Sequence, residues 1–400
     1  MRGRIHLVCN GIFGPNLAGG DIHFLKVAEA LGQSGYELHY FGGHALKEVI
    51  QTRGLPGSIT LTDDGAMRGV NQGALGGQWT MFKDFHGRYR RTLRLLQEMA
   101  PEDCAYATSD YWFDALPLVR CRARRKLMVV HLEAPSLLQI VQRSRPDVDA
   151  KRLASLHLWM SQNLALRRFQ SCSNKRLLYV HPSMKAGFLS KGYRAEELVF
   201  TSEGVDVAVA ERVPEQKKQF DVIWIGRVHR QKGIEDLLAT LAYLGRKVRD
   251  FRAVLVGQLE GALRPQIEAL GLTNQVTFAG LVRDDAEKFR LFKTSRVFLM
   301  PSSYESWGIV VGEALVSGVP VVAYDIDAYR PIFGDLVHYV PPFDLQAFQE
   351  AALDEVSRAR EGRPTLEGAA LSEFKQEHSW QATCRRFQEA LESLQDDQAR

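Results

Sequence analysis

The chain lacks the features that mark membrane-spanning and disulfide-stapled proteins. None of its apolar runs approaches the ~20 residues that a helix needs to cross a bilayer. Residues 1–9 are too short in their apolar part for a secretory signal peptide, so we predict a strand there. The five cysteines are scattered and never spaced as C-x-x-C. We therefore expect reduced thiols, with neither a disulfide framework nor a zinc site.

The length and the pattern of apolar runs predict two α/β domains. A chain of 400 residues exceeds one ordinary core and suits two domains of about 150–200 residues. Hydrophobic residues make up 45% and charged residues 24%, as is usual for globular proteins. Strand-like runs alternate with helical ones, which is typical of parallel α/β layers. The predicted strands are residues 5–9, 37–41, 104–108, 127–131, 176–181, 220–226, 252–257, 275–279, 296–300 and 320–323.

The boundary between the two domains is predicted from a polar stretch at residues 213–219. This stretch has no apolar periodicity and precedes a strand, so it is the best linker candidate. We therefore predict an N-terminal domain at residues 1–212 and a C-terminal domain at residues 213–377. Residues 380–394 have the spacing of an amphipathic helix, which indicates that this helix packs on another part of the chain.

Positive charge is concentrated in the first half of the chain. The net charge is +4, yet residues 1–200 contain 27 Lys and Arg against 17 Asp and Glu. Much of the excess lies in residues 88–91, 120–126 and 167–168. A one-sided basic half suggests an anionic partner such as acidic lipid, a phosphorylated acceptor or nucleic acid, although solvated helix faces would explain it equally well. No nucleic-acid recognition module is present, so we predict no nucleic-acid partner.

The stretch at residues 301–315, PSSYESWGIVVGEAL, lies between two apolar runs and predicts a strand, a loop and a helix. Glu305 falls in the loop, and Glu313 falls eight positions later in the helix. Backbone N–H groups at a helix N-terminus can hold an anion, and Glu305 lies beside them. Glu313 follows a little over two turns later, near the face that Glu305 approaches. Both carboxylates can therefore contact one extended ligand.

This stretch resembles the E-x7-E signature of a family of retaining glycosyltransferases that use nucleotide sugars. These are enzymes similar to glycosyltransferase family 4. Residues 1–45 resemble the family's N-terminal glycine loop and first helix. Residues 221–240 resemble its phosphate-binding entry and residues 276–342 its donor-site core, all in the expected order. The resemblance implies the GT-B architecture, with two Rossmann-like α/β domains facing an interdomain cleft. It also implies that a C-terminal helix at residues 378–400 packs back on the first domain.

Residues 224–234, WIGRVHRQKGI, supply the predicted diphosphate site. A strand ends at Gly226, and Arg227 and Lys232 flank a loop that opens a helix. Two cations at the carboxyl end of a strand suit a leaving diphosphate, whose charge grows as the glycosidic bond breaks. A solvated basic turn would contain the same residues. The spacing G-R-x4-K-G is similar to the family's phosphate site, which implies that Arg227 and Lys232 bind the diphosphate.

The nucleoside is assigned to Glu313 and to the segment around Val282. A carboxylate accepts hydrogen bonds from two vicinal hydroxyls, so Glu313 is the predicted ribose ligand. Val282 matches the family position whose backbone contacts the base, and its side chain does not indicate which base. The paired glycines Gly19 and Gly20 precede a helix and allow close backbone approach to a ligand. In the family the matching glycines close against the donor phosphates and the acceptor. The alternative interpretation is that Gly19 and Gly20 form a simple flexible turn.

Recognition of the transferred sugar is assigned to Glu305 and to the backbone amides of Trp307, Gly308 and Ile309. Family members usually carry Gly-Phe where this chain has Ser306-Trp307. This departure keeps an aromatic residue but adds the Ser306 side chain, which leaves the identity of the sugar open.

On the acceptor side, His131 ends a predicted strand. A histidine in that place is often structural, but the resemblance implies that His131 reaches the transferred sugar. Glu133 is a weaker candidate for an acceptor-side group. The aromatic residues at 79–82 and 111–113 are interpreted either as stacking platforms for a sugar or lipid or as core residues.

A metal is not required by this assignment. Residues 147–149 and 325–327 match D-x-D, the metal clamp of the other main glycosyltransferase fold, but neither accompanies the phosphate loop. Arg227 and Lys232 already supply positive charge to the diphosphate, so we predict no metal and no cofactor beyond the nucleotide-sugar co-substrate. A glycosidase would need two carboxylates straddling one bond, whereas Glu305 and Glu313 are assigned to different parts of the donor.

The sequence therefore predicts a retaining, metal-independent glycosyltransferase. It would move a hexosyl group from a UDP- or GDP-linked sugar to a hydroxyl of a glycan, lipid-linked or small-molecule acceptor. The predicted catalytic set is His131, Glu305, Arg227 and Lys232. The alternative is a catalytically silent nucleotide-sugar-binding subunit of a glycosylation complex. We expect a cytoplasmic protein, with peripheral contact between its basic first domain and an anionic membrane face as an option.

Overall fold

The computed structural model describes residues 3–12, 17–65, 75–143, 145, 152–363, 366 and 368–396. They divide into two compact units. Unit 1 contains the described residues among 1–142, 151–203 and 381–400, and unit 2 contains those among 143–150 and 204–380. The chain leaves unit 1 after residue 203. The predicted linker at residues 213–219 and the helix before it, Val207–Arg212, therefore both belong to unit 2.

Unit 1 is built on a seven-stranded parallel sheet. Its strands are β1 (Arg4–Cys9), β2 (Glu37–Gly42), β3 (Ser58–Leu61), β4 (Cys104–Ala107), β5 (Arg125–Val130), β6 (Lys175–Tyr179) and β7 (Leu198–Phe200). Their order in the sheet is β3-β2-β1-β4-β5-β6-β7. The accompanying helices are α1 (Gly19–Gln33), α2 (His44–Arg53), α3 (Leu75–Leu96), α4 (Trp112–Arg120), α5 (Leu137–Gln142), α6 (Arg152–Gln170) and α7 (Met184–Ser190).

Unit 2 is built on a six-stranded parallel sheet with the order β10-β9-β8-β11-β12-β13. The strands are β8 (Phe220–Ile225), β9 (Ala253–Val256), β10 (Val276–Gly280), β11 (Ser295–Met300), β12 (Val321–Tyr324) and β13 (His338–Val340). The helices are α8 (Val207–Arg212), α9 (Ile234–Lys247), α10 (Glu260–Ala269), α11 (Asp285–Lys293), α12 (Ile309–Val316), α13 (Arg330–Phe333), α14 (Leu345–Arg360) and α15 (Gly368–His378). Helix α8 packs against α11 and α12, which explains why it belongs to this unit.

The last helix, α16 (Trp380–Asp396), packs on unit 1. Its apolar stripe, which includes Phe387 and Leu391, is buried in the unit 1 core. The ring of Phe387 meets Tyr106 of β4 edge to face at 4.8 Å. Gln388 donates to Ser34 at the end of α1 at 2.6 Å. The amphipathic spacing of this segment is therefore used to cover the sheet of unit 1.

In each sheet the first strand of the unit has neighbours on both sides. Strand β1 lies between β2 and β4, and strand β8 lies between β9 and β11. Such a switch in strand order opens a crevice at the carboxyl ends of the strands, where ligands of α/β proteins bind. The fold class predicted from the sequence, two Rossmann-like α/β domains, is confirmed. No helix formed by the described residues is long and apolar enough to cross a membrane.

Candidate active site

The loop after β8 reaches the helix α9 through one glycine. The chain makes a 3-10 turn at Arg230–Lys232 and enters α9 at Ile234. Gly233 has a φ of +62°, and a Cβ on it would lie 1.9 Å from the carbonyl oxygen of Pro301. Only glycine suits both this left-handed backbone and this close approach. The loop after β8, which was predicted to bind the diphosphate, is therefore packed directly against the start of the loop after β11.

The loop after β11 is held to the first loop by hydrogen bonds. The N–H of Ser303 donates to the carbonyl oxygen of Gln231 at 2.8 Å. Lys232 Nζ donates to Glu305 Oε1 at 2.6 Å. Strands β8 and β11 are neighbours, so both loops leave the same edge of the sheet. The structure thus brings together two of the predicted site residues, Lys232 and Glu305.

Lys232 and Glu305 form a largely buried ion pair, whereas Arg227 lies at the surface. The side chains of Lys232 and Glu305 are only 16% and 10% exposed, so their charges are screened less by water than those of surface pairs. Arg227 is exposed, and its guanidinium forms no salt bridge with any residue that the structure describes. A diphosphate would meet an accessible cation at Arg227 and a second cation at Lys232, which Glu305 holds in place.

Glu313 has a partner that the sequence did not reveal. Lys288 of α11 donates from Nζ to Glu313 Oε1 at 2.6 Å and to Asp285 Oδ1 at 2.9 Å. Burial alone would lower the pKa of Lys288, but the charges of Glu313 and Asp285 raise it instead. This ion pair ties α11 to the predicted ribose carboxylate. It also connects that carboxylate to the segment of half-buried Val282, which precedes α11 by a few residues.

The start of α12 is shaped by Gly308. Its φ is +90°, and a Cβ there would lie 2.8 Å from the ring of Tyr329. The Trp307 side chain is buried in the core and meets Phe333 edge to face at 5.2 Å. The side chain of Trp307 is therefore a core residue, and the role of its backbone amide stays a prediction. The N–H groups from Gly308 and Ile309 belong to a helix start, where they have no intrahelical acceptor.

In unit 1, the start of α1 lies directly on His131. A Cβ on Gly20 would lie 2.9 Å from His131 Cδ2, so the glycine permits this contact. Gly19 is the first residue of α1, and the Asp21 carboxylate accepts from the N–H of Ala18 at 2.8 Å. The glycine pair and the histidine were predicted from separate stretches of sequence, and the fold places them side by side at the carboxyl edge of the sheet.

Two acidic residues near His131 were not predicted. Glu203 Oε1 lies 3.1 Å from His131 Nδ1. Burial alone would lower the pKa of His131, but the hydrogen bond and charge of Glu203, with the charge of Asp110, raise it. Burial raises the pKa of Asp110 to about 6. Glu133, the weaker acceptor-side candidate, is exposed in the following loop.

The loop that carries His131 is anchored by Gln162 of α6. Gln162 Nε2 donates to Asp110 Oδ2 at 2.6 Å and to the carbonyl oxygen of Leu132 at 2.7 Å. Its Oε1 accepts from the N–H of Ala134 at 2.9 Å. One buried amide therefore fixes the segment on the C-terminal side of His131.

The aromatic residues of unit 1 divide between core and surface. Phe113 is buried and stacks on Phe85 at 4.1 Å. Tyr111 is 37% exposed and lies parallel to Phe113 at 5.3 Å. Phe82 is also exposed, and Trp112 donates from its indole N–H to His157 at 3.2 Å. Tyr111 and Phe82 therefore lie at the surface, whereas Phe113 is core. The side chain of Trp79 lies outside the described residues.

Only one of the two D-x-D sequences, residues 325–327, lies in the described part of the chain. Asp325 follows β12 and is paired with the guanidinium of Arg330 at 2.8 Å. The sequence at residues 147–149 lies outside the described part of the chain. Within the described ranges, no group of three or more His, Cys, Asp or Glu side chains is arranged to hold a metal ion. Metal independence stays a prediction.

Part of the predicted basic surface is buried. Arg88 is 2% exposed and bonds to Asp84 and Asp63 at 2.6 and 2.9 Å. Lys126 is also buried, with its Nζ donating to the carbonyl oxygens of Val119 and Cys121. These two cations serve the fold of unit 1. Other members of the basic runs are exposed, including Arg90, Arg91, Arg122 and Arg124.

Comparison with known proteins finds a family match in the second half of the chain. Residues 209–362 match the family model described as glycosyl transferases group 1. The phosphatidyl-myo-inositol mannosyltransferase of Mycobacterium leprae is 29% identical over 253 residues, which are 59% of this chain and 67% of that protein. Its counterpart from Mycobacterium tuberculosis strain CDC 1551 is 31% identical over 236 residues, which are 55% of this chain and 61% of that protein. The alignments thus leave about a third of each relative unmatched.

The solved structure of Anabaena HepE in complex with UDP and glucose has the same fold. It superposes with a TM-score of 0.70 and 18% identity, covering 98% of this chain and 100% of that one. At this identity the superposition speaks for the fold alone. The predicted GT-B architecture and the predicted resemblance to nucleotide-sugar glycosyltransferases are both confirmed. Residues 209–362 of the chain thus match the glycosyl transferases group 1 family, and the chain has the GT-B fold.

Proposed function

We propose that the chain is a retaining, metal-independent glycosyltransferase that transfers a hexosyl group from a UDP- or GDP-linked sugar to a hydroxyl. The observation that carries this proposal is the pair formed by Lys232 and Glu305 at 2.6 Å. It joins a cation suited to a diphosphate with a carboxylate suited to sugar hydroxyls. The loops of adjacent strands hold both at the switch point of the sheet.

Each part of the donor has a proposed partner in unit 2. Arg227 and Lys232 stabilise the negative charge that develops on the departing diphosphate, a task that fixed side-chain cations can perform without a metal. Glu313, held by Lys288, accepts from the ribose hydroxyls. Glu305 and the N–H groups at the start of α12 bind the sugar. The relatives' names, which include mannosyl transfer and a complex with UDP and glucose, support a hexose donor.

The acceptor and the cellular location are proposed from unit 1 and from the relatives. We assign to unit 1 the acceptor, with His131 contacting the transferred sugar. Two relatives are named for transfer to phosphatidyl-myo-inositol, which supports a lipid-linked acceptor. The exposed cations Arg122 and Arg124 would then favour contact with an anionic membrane face in the cytoplasm. Co-sedimentation with vesicles containing phosphatidylserine, in low and high salt, tests this contact.

The test of the proposal is a transfer reaction followed by NMR. The protein is incubated with UDP- and GDP-linked hexoses and candidate acceptors, with and without EDTA, and both diphosphate release and the anomeric proton of the product are recorded. We expect a product with the anomeric configuration of the donor, formed equally well in EDTA. An inverted product would contradict retention, and loss of turnover in EDTA would contradict metal independence.

A pair of matched variants assigns the activity to the site. Glu305→Gln removes the charge at the sugar, and Glu268→Gln removes the charge of an exposed glutamate at the end of α10 in the same unit. We expect loss of transfer only in the first variant. If the protein binds nucleotide but releases no diphosphate with any combination of donor and acceptor, the result would instead support the alternative of a catalytically silent binding subunit.

A further inference from the structure

Glu203 occupies an unusual place in the chain. It is the last residue of unit 1 before the chain enters unit 2, and its carboxylate is buried at 5% side-chain exposure. The backbone on its N-terminal side is fixed, because the N–H of Thr201 donates to the carbonyl oxygen of Tyr179 at the end of β6. Its Oε1 lies 3.1 Å from Nδ1 of His131. Glu203, at the point where the chain passes from unit 1 to unit 2 (the chain crossing), thus holds His131 in place.

The other ring nitrogen of His131, Nε2, has an unused capacity for a hydrogen bond. Nε2 is buried and has no hydrogen-bond partner within the described ranges. An unsatisfied buried polar group costs roughly 1–3 kcal/mol, so such a group is usually kept for a purpose. The start of α1 covers this nitrogen, since a Cβ on Gly20 would lie 3.3 Å from it. The oxygen of a bound substrate would give Nε2 the partner that it lacks.

We propose that Glu203 is a positioning residue that fixes the orientation and the hydrogens of His131, so that Nε2–H donates to an oxygen of the bound substrate. The proposal rests on the proposed function for the identity of that substrate. Its geometric part, the Glu203–His131 pair, stands on the contacts within unit 1. Nδ1–H is committed to the carboxylate, and the imidazolium therefore has Nε2–H as its second donor.

The groups that face His131 favour its charged form. Glu203 approaches from the chain crossing, Asp110 from the end of β4, and Asp21 and His23 from α1. Burial, together with the charge of His131, lowers the pKa of His23 well below its ordinary value, so that ring is neutral. Among the described groups around His131, Glu203 and Asp110 raise its pKa above the ordinary value. As the pH rises through the raised pKa of His131, the Nε2 hydrogen is lost and Nε2 becomes an acceptor.

The experiment compares the wild type with Glu203→Gln by NMR of protein carrying 15N-labelled histidine. The amide of glutamine still accepts from Nδ1–H but has no charge, so it keeps the shape and removes the attraction. We expect the pKa of His131 to fall by about 1–3 pH units, as expected when an opposite charge at this distance is removed. His131→Gln identifies the His131 signals among those of the 11 histidines. The same pKa in the wild type and in Glu203→Gln would overturn the proposal.

The matched control is a second buried pair of a histidine and a carboxylate in unit 1. His6 Nε2 lies 2.8 Å from Asp103 Oδ2, and Asp103 precedes β4 at the opposite edge of the sheet from His131. Asp103→Asn should change the titration of His6 and leave that of His131 unchanged. A shift of the His131 titration in this control as large as the shift in Glu203→Gln would also count against the proposal.

The pH profile of transfer then separates a positioning role from a merely structural one. We expect the limb on which kcat falls with rising pH to move to lower pH in Glu203→Gln by the same amount as the pKa of His131. An equal loss of kcat at every pH would contradict the positioning role. If the wild type transfers no sugar from any donor, the proposed function fails, while the NMR comparison still decides whether Glu203 controls His131.

Discussion

The contact between the two loops of unit 2 predicts that Gly233→Ala is far more damaging than the same change at a matched glycine. Gly233 has a φ of +62°, and an added Cβ would lie 1.9 Å from the carbonyl oxygen and 2.8 Å from the carbonyl carbon of Pro301. Gly271, also in unit 2, has a φ of +71° with nothing within 4 Å of an added Cβ. Both substitutions incur the strain of a left-handed backbone, about 1–2 kcal/mol. Only Gly233→Ala adds an overlap with backbone atoms that no side-chain rotation relieves.

The overlap at Gly233 adds a further 1–3 kcal/mol, roughly the usual cost of overpacking. Urea unfolding should therefore show a loss of about 1–2 kcal/mol for Gly271→Ala and about 2–5 kcal/mol for Gly233→Ala. Because the overlap pushes the loop of Lys232 away from that of Glu305, nucleotide binding measured by calorimetry should weaken in Gly233→Ala alone. Equal destabilisation by the two substitutions, with unchanged nucleotide affinity, would refute the described contact between the loops.

Further predictions concern the charged groups. Glu305→Gln should lower turnover more than nucleotide affinity in steady-state kinetics and calorimetry, and activity equal to the wild type would refute its contact with the sugar. Arg227→Ala and Lys232→Ala should lower both, because each removes a cation from the diphosphate. Lys288→Met leaves its carboxylate partner buried and unpaired, so urea unfolding should show a loss of about 1–3 kcal/mol, and no loss would contradict that pairing. Burial raises the pKa of Asp114 to about 7, so the folded protein holds a proton that the unfolded chain releases near pH 4. The contribution of Asp114 to the free energy of unfolding should therefore fall between pH 4 and pH 7, and the loss of stability over this range should be smaller in Asp114→Asn than in the wild type.

All ten strands that the sequence predicted are present, and nine of them lie in the interior of their sheets; the tenth, β10, lies at an edge. Central strands of a parallel sheet are covered on both faces and therefore appear as continuous apolar runs. The strands that were not predicted, β3, β7 and β13, are three or four residues long. They lie at the edges of their sheets and are partly exposed. Short edge strands carry too few buried side chains to give a periodic signal.

The sequence predicted the site residues that lie in loops directly after strands. It did not predict the site residues that are defined by contacts with residues distant in the sequence. Arg227, Lys232 and Glu305 could be found because each lies in a loop directly after an apolar strand. Lys288 and Glu203 could not, because nothing in their local sequence indicates that they meet Glu313 and His131. Contacts between residues distant in sequence have no periodic signature in a single chain.

The sequence also grouped a buried arginine with exposed ones. Arg88 was counted with an exposed cluster on the strength of its neighbours in sequence. In the fold it faces inwards, where Asp63, Asp84 and the carbonyl oxygen of Asn10 satisfy its guanidinium. A run of arginines therefore does not reveal which of its members is the structural one.

The most direct test of the account is a thermal-shift comparison of the wild type with UDP, GDP, ADP and dTDP, each with and without EDTA. A nucleotide at about 100 times its dissociation constant adds about 2.7 kcal/mol to the free energy of unfolding. The account predicts that one nucleoside diphosphate raises the Tm, that EDTA does not change this rise, and that Lys232→Ala abolishes it. No stabilisation by any of the four, or stabilisation that disappears in EDTA, would contradict a phosphate site built from Arg227 and Lys232.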